Sequence, residues 1–129
     1  MKYESKPLPF TKKLTGISEK TLQIHHDKLH VGYVNKKNEI GEQLAKYTKG
    51  EKELESANQT FSELRALKDG ETFAVNGVYL HEHYFEVLGG AGNPTGELVD
   101  EIAATYSSVE NFLKYFSACG MASRGWVVL

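Results

Sequence analysis

The sequence has 129 residues, of which 25% are charged, with a formal net charge of -2 and a single cysteine, Cys119. This length suits one compact domain rather than two, and the balanced charge argues against a nucleic-acid partner. A single cysteine cannot form an internal disulfide, and no apolar run approaches the roughly 20 residues of a membrane span. The start MKYESKPLPF lacks the apolar core of a signal peptide. We therefore expect a cytoplasmic protein.

An extended arm followed by a long helix is predicted for the first part of the chain. Residues 1–16 contain Pro7 and Pro9 and are predicted to form the arm. Ser18 is a suitable N-cap for a helix that runs to about Tyr47, because apolar residues recur there at spacings of three, four or seven. The stripe consists of Leu22, His25, Leu29, Tyr33, Ile40 and Leu44.

Two further helical segments are predicted before residue 90. A turn at 48–53 leads into a helix from Leu54 to about Leu67, which the sequence Lys68-Asp69-Gly70 is expected to end. A third segment follows from Glu71 to Leu88. Because the connection at 48–53 is short, we expect an antiparallel helical hairpin.

The remainder of the chain is predicted to begin a second domain. The glycine-rich loop at 89–96 marks the boundary, and two helices follow, Glu97–Tyr106 and Ser107–Ala122. Gly125–Leu129 has strand composition. The expected fold class is therefore α+β, with a helical hairpin domain over residues 1–90 and an incomplete α/β domain, helices and then a first strand, over residues 91–129.

Two histidines, His25 and His81, occupy helix positions where a leucine is expected. A buried imidazole needs partners for both ring nitrogens, and metal ligation is one solution. Periodicity alone favours the other, a hydrogen-bonded core histidine. His26 and His30 are four residues apart and could share a surface metal, although no further ligand accompanies them. His83 lies about 200° around the helix from His81, so these two cannot bind one ion.

No histidine has a glutamate three residues before it, which excludes the di-iron carboxylate bundles.

Four stretches of the sequence resemble, in the right order, motifs of the iron/manganese superoxide dismutases. They are LQIHHDKLHVGYVNKKNEI at 22–40, NGVYLHEHYFEVLGG at 76–90, GNPTGELVDEIAATYSSVENFLKYF at 92–116 and GWVVL at 125–129.

This resemblance implies that superoxide is converted to dioxygen and hydrogen peroxide at one manganese or iron ion. It implies that His25 and His81 are metal ligands, that Tyr33 is the active-site tyrosine near the substrate entrance, and that Trp126 lines the metal pocket. The family takes its other two ligands, an aspartate and a histidine, from a motif further downstream. The sequence ends before such a motif, so we expect a truncated chain that is poorly active alone.

Two positions depart from the family pattern. Leu29 occupies a position that is often histidine in the family, and His30 stands beside it. Gly77 occupies the position of a glutamine in many iron-type members, which favours a manganese-type arrangement. These residues are expected to line the pocket.

Two alternatives stay open, a non-catalytic dismutase-like module and a partial zinc site formed by His25 and His81. The unfinished strand leaves an edge that invites pairing, so we expect a homodimer or higher homo-oligomer.

Overall fold

The structure, a computed structural model, describes residues 2–129. The chain forms two compact units, one ending at Gly89 and the other spanning Gly90–Leu129. The elements are α1 (Glu19–Gln23), a π-helical segment (Ile24–His30), α2 (Val31–Thr48), α3 (Glu63–Glu86), α4 (Glu97–Tyr106) and α5 (Val109–Ala122). Within residues 2–129, none of the helices has the length and apolar character needed to cross a membrane.

The first unit is a helical hairpin, as predicted. Its first half is continuous from α1 through the π-helical segment to α2, and α2 packs along α3. Ser18 is the N-cap, and its hydroxyl accepts a hydrogen bond from the Thr21 backbone N–H at 3.1 Å. The Tyr47 hydroxyl donates to Glu63 where the hairpin turns, at 3.0 Å, and the π-helical segment contacts α3 further along, so the two halves are antiparallel.

The π-helical segment changes which side chains face α3. Its hydrogen bonds span five residues instead of four, so the apolar spacing expected for an α-helix no longer applies. Leu29, expected in the core stripe, is 52% exposed, whereas His30 is fully buried at 0%. The prediction that Leu29 faces the core is therefore wrong, and the burial of His30 argues against a surface metal shared with His26.

Helix α3 is continuous over 24 residues, so the helix end predicted at Lys68-Asp69-Gly70 is wrong. Gly70 lies where α3 approaches α2, and a Cβ atom there would come within 3.2 Å of Ile40 Cδ1. This glycine therefore permits close packing instead of ending a helix. The helix begins after Ser62, whose hydroxyl caps it, and the residues predicted as helical before Ser62 belong to an irregular connection at 49–62.

The second unit contains α4 and α5. Helix α4 has the predicted bounds, but α5 is capped by Ser108, one residue later than expected. The Ser108 hydroxyl accepts from the Asn111 backbone N–H at 3.1 Å, while Ser107 adopts a left-handed conformation with φ 67°. Ile102 and Phe112 supply buried side chains of this unit.

Gly125–Leu129, predicted as a strand, has no regular secondary structure, and the described residues 2–129 contain no strand. A strand is stabilised by hydrogen bonds to a neighbouring strand, and no other part of residues 2–129 supplies one. The helical hairpin is thus observed, whereas the α/β part of the predicted fold class is not confirmed.

Candidate metal centre

His25 and His81 lie face to edge across the hairpin. His25 is in the π-helical segment and His81 is in α3, and their ring centroids are 4.8 Å apart with an interplanar angle of 82°. His81 is 5% exposed and His25 is half-buried. The structure therefore brings together the two histidines that the sequence places at leucine positions.

A hydrogen bond to the helix backbone orients the His81 ring. Its Nδ1 lies 2.6 Å from the Gly77 carbonyl oxygen, one helical turn earlier. A carbonyl oxygen only accepts hydrogen bonds, so Nδ1 carries the proton and Nε2 of the neutral ring carries the lone pair. Metal-binding histidines commonly show this arrangement, in which the second ring nitrogen donates to a carbonyl or carboxylate oxygen.

The surroundings of His25 favour its neutral form. Its ring lies 5.0 Å from the Tyr84 ring and 5.2 Å from the Phe85 ring, measured between centroids. Burial lowers the pKa of His25 below its ordinary value of 6.5, and the positive charge that His81 can carry lowers this pKa further. A neutral imidazole is the form that binds a metal ion, so the pair is suited to ligation.

Tyr33 packs directly over Gly77. A Cβ atom on residue 77 would lie 2.3 Å from Tyr33 Cδ1, which is far inside van der Waals contact. The Tyr33 ring centroid is 5.2 Å from that of His81, so this aromatic contact requires glycine at position 77. A glutamine at position 77 would displace Tyr33 from its place beside His81.

Three other residues predicted to line the pocket have different surroundings. The His30 ring is stacked on the His81 ring with centroids 6.1 Å apart, but its Nδ1 lies 3.2 Å from the Ser5 hydroxyl. Leu29 is largely exposed. Trp126 belongs to the unit Gly90–Leu129 and is 37% exposed.

Both ring nitrogens of His26 lie close to acceptor atoms of the protein. Its Nδ1 lies 2.7 Å from Asp27 Oδ1, and its Nε2 donates to the Lys6 carbonyl oxygen at 2.7 Å. Both nitrogens therefore already have partners within the protein. Of the two neighbouring residues His25 and His26, His25 is the one whose ring packs against His81.

Glu82, which directly follows His81 in the sequence, is a buried carboxylate. It is 8% exposed, accepts from the Tyr3 hydroxyl at 2.7 Å and pairs with Lys6 Nζ at 2.6 Å. Burial alone would raise the pKa of Glu82, but the bonds from Lys6 and Tyr3 outweigh burial and leave this pKa below its ordinary value. Both partners belong to the N-terminal arm, so no local pattern indicated this cluster.

The candidate centre contains two imidazoles. Among residues 2–129, no group of three or more His, Cys, Asp or Glu side chains is arranged to hold a metal ion. Imidazole ligands suit iron, manganese, zinc and other divalent metals, so the pair alone does not select one of them. The orientation of His81 and the lowered pKa of His25 fit the role of ligands.

Comparison with known proteins identifies relatives of the chain. Residues 2–89 match the family model described as iron/manganese superoxide dismutases, alpha-hairpin domain. The chain is 40% identical over 118 residues to Superoxide dismutase [Fe] of Aquifex pyrophilus, an alignment that covers 90% of this chain and 54% of that protein.

Two further relatives show the same pattern. Superoxide dismutase [Fe] of Cupriavidus metallidurans is 38% identical, with 100% of this chain and 64% of that protein covered. Superoxide dismutase [Mn] 1 of Halobacterium salinarum is 37% identical, with 98% of this chain and 62% of that protein covered. The chain thus spans between about half and two thirds of the length of these curated relatives.

Proposed function

Because this chain belongs to the iron/manganese superoxide dismutases, we propose that His25 and His81 are two of the ligands to one manganese or iron ion at which superoxide is disproportionated. Two superoxide ions and two protons give one dioxygen and one hydrogen peroxide. A manganese or iron ion held by these residues would supply the one-electron redox chemistry of this reaction. The observation that supports this proposal most is the 4.8 Å approach of the two rings.

The residues around the pair hold the ligands in place. The hydrogen bond from His81 Nδ1 to the Gly77 carbonyl oxygen fixes the ring tautomer and makes Nε2 more basic. The Tyr84 and Phe85 rings pack against the His25 ring.

Tyr33, beside His81, is the residue that we assign to the approach of substrate, because its hydroxyl can donate a hydrogen bond to an anion. The pocket role of Trp126 stays a prediction from the sequence.

The choice between manganese and iron depends on groups around the ligands. The packing of Tyr33 on Gly77 leaves no room for the glutamine of iron-type members, which favours a manganese-type arrangement. Relatives named for iron and for manganese are similarly close to the chain, at 40% and 37% identity. The proposed cofactor is therefore manganese or iron.

The finer fold assignment and the assembly are also proposals. Residues 91–129 are proposed to belong to an α/β domain, supported by the strand composition of Gly125–Leu129. A homodimer or higher homo-oligomer is proposed because large apolar side chains such as Met121, 91% exposed, and Phe73, 70% exposed, lie at the surface. A cytoplasmic location remains a prediction.

A dismutase assay tests the proposed function. The 129-residue polypeptide loaded with manganese or iron is expected to be nearly inactive alone, because two neutral imidazoles lack the carboxylate that stabilises a trivalent ion. A fusion that adds the part of the Cupriavidus metallidurans protein beyond its match to this chain is expected to be active, and His81→Ala is expected to abolish that activity.

One outcome of this assay would contradict the proposed function, and another would contradict the expected inactivity of the polypeptide alone. A fusion that folds and holds its metal but does not dismute superoxide would support the non-catalytic module. Substantial activity of the polypeptide alone, lost in His81→Ala, would show that a further residue of this chain completes the site.

A further inference from the structure

Lys6, in the N-terminal arm, contacts the sequence neighbour of each proposed ligand. Its carbonyl oxygen accepts a hydrogen bond from His26 Nε2 at 2.7 Å, and its Nζ pairs with Glu82 Oε2 at 2.6 Å. His26 follows His25 in the π-helical segment, and Glu82 follows His81 in α3. One arm residue thus connects the two ligand-bearing segments at the level of the ligands.

Tyr3 fixes the path of the arm on the hairpin. Its backbone N–H donates to Asn38 Oδ1 and its carbonyl oxygen accepts from Asn38 Nδ2, both at 2.8 Å. Its hydroxyl donates to Glu82 Oε1 at 2.7 Å. Two reciprocal bonds to one asparagine set the register of the arm on α2, so Lys6 is held at a defined position.

The burial of Glu82 depends on partners from the N-terminal arm. A carboxylate that is 8% exposed is costly to bury unless it is paired and hydrogen-bonded. Its partners Lys6 and Tyr3 both come from the arm, and His30 Nε2 at 3.6 Å is too distant for a direct hydrogen bond. Docking of the arm and burial of Glu82 beside His81 are therefore coupled.

We propose that the N-terminal arm is a clamp that holds the His25 and His81 segments at the separation required for a shared metal ion. Lys6 and Glu82 are positioning residues in this clamp, because they act through the residues next to the ligands and do not themselves bind the metal. The proposal rests on the assignment of His25 and His81 as ligands.

A second contact between the arm and the hairpin provides a matched control. Lys2 Nζ lies 3.0 Å from Glu42 Oε1, but the two side chains are 76% and 57% exposed. This pair touches no neighbour of a ligand, and exposed ion pairs contribute little to stability. Lys2→Met therefore removes an arm lysine of the same type without affecting the clamp.

The test measures the ring pair in the metal-free chain and the metal affinity of the same variants. In nuclear magnetic resonance spectra of the full chain, we expect a nuclear Overhauser effect between the ring protons of His25 and His81. Lys6→Met, which keeps the carbonyl bond to His26, and Glu82→Gln are both expected to weaken this signal. Both are expected to lower the affinity for Co²⁺ about tenfold. This is the lower end of the range observed when a residue that supports a metal ligand is replaced.

The control variants define the outcomes. Lys2→Met is expected to leave the signal and the affinity unchanged, and Lys6→Arg is expected to retain most of both. If Lys6→Met and Glu82→Gln fold and match Lys2→Met in both measurements, the clamp is wrong even where His81→Ala abolishes Co²⁺ binding. If His81→Ala leaves Co²⁺ binding intact, the ligand assignment is wrong, and the metal-free signal still decides whether the clamp exists.

Discussion

Replacing His81 by alanine is expected to abolish metal binding by the chain. The substitution removes the Nε2 lone pair that the bond to the Gly77 carbonyl directs away from the backbone. The loss in affinity for the metal should exceed the roughly 10–100-fold that follows replacement of a residue that only hydrogen-bonds a ligand. Co²⁺ at a hundred times its dissociation constant should stabilise the wild-type chain by about 2.7 kcal/mol, and the variant not measurably.

His83→Ala is the matched control for this measurement. His83 is two residues further along α3, its side chain is 65% exposed, and its Nδ1 lies 3.0 Å from Glu86. Chemical denaturation with and without Co²⁺ compares the free energies of unfolding of the three proteins. An equal metal-dependent stabilisation of the His81→Ala and wild-type chains would contradict the assignment of His81 as a ligand.

Gly77→Ala is expected to destabilise the fold by about 1–3 kcal/mol, the usual range for overpacking a buried site. The added methyl group would lie 2.3 Å from Tyr33 Cδ1 and 2.6 Å from Tyr33 Cγ, near the base of the ring, so rotation of the ring cannot remove the clash. Tyr33 must then move away from His81. Urea denaturation measures the change in stability.

Gly41→Ala provides a control of opposite sign. Gly41 is also within a helix, but a Cβ atom there would have no neighbour within 4 Å. Alanine is favoured over glycine in a helix by about 1 kcal/mol, so this variant should be slightly more stable than the wild type. If Gly77→Ala were stabilised to the same degree, the close packing of Tyr33 on Gly77 would be wrong.

The approach of His25 and His81 could be expected from the sequence because each interrupts an apolar helical stripe. Stripes of two helices joined in a hairpin face each other, so polar residues within them meet. The complete burial of His30 could not be predicted in this way. The wider turn at Ile24–His30 has no local sequence signal, and it exchanges the exposures expected for Leu29 and His30.

The structural role of a glycine could not be predicted from the local sequence, for a physical reason. Gly70 follows lysine and aspartate, a pattern typical of a helix end, yet its lack of a side chain is used for contact with Ile40. Only the neighbouring helix distinguishes these two uses of glycine. Ser107 and Ser108 differ similarly, because either serine can cap α5 and the left-handed backbone of Ser107 decides between them.

The arm was the least predictable part of the candidate site. Its prolines indicate an extended segment, but the contacts of Tyr3 and Lys6 with Glu82 join residues that are distant in the sequence. Such contacts depend on the assembled hairpin and leave no periodic pattern. The strand predicted at Gly125–Leu129 depends in the same way on a pairing partner, which residues 2–129 do not supply.

The assignment of His25 and His81 as ligands can be tested by locating a metal ion in crystals of the chain grown with Co²⁺, using anomalous X-ray diffraction. We expect an anomalous peak between the rings of His25 and His81, about 2.1 Å from one nitrogen of each. We also expect this peak to be absent in crystals of His81→Ala. A peak at other residues, with the two rings in contact and no ion between them, would show that His25 and His81 do not share a metal ion.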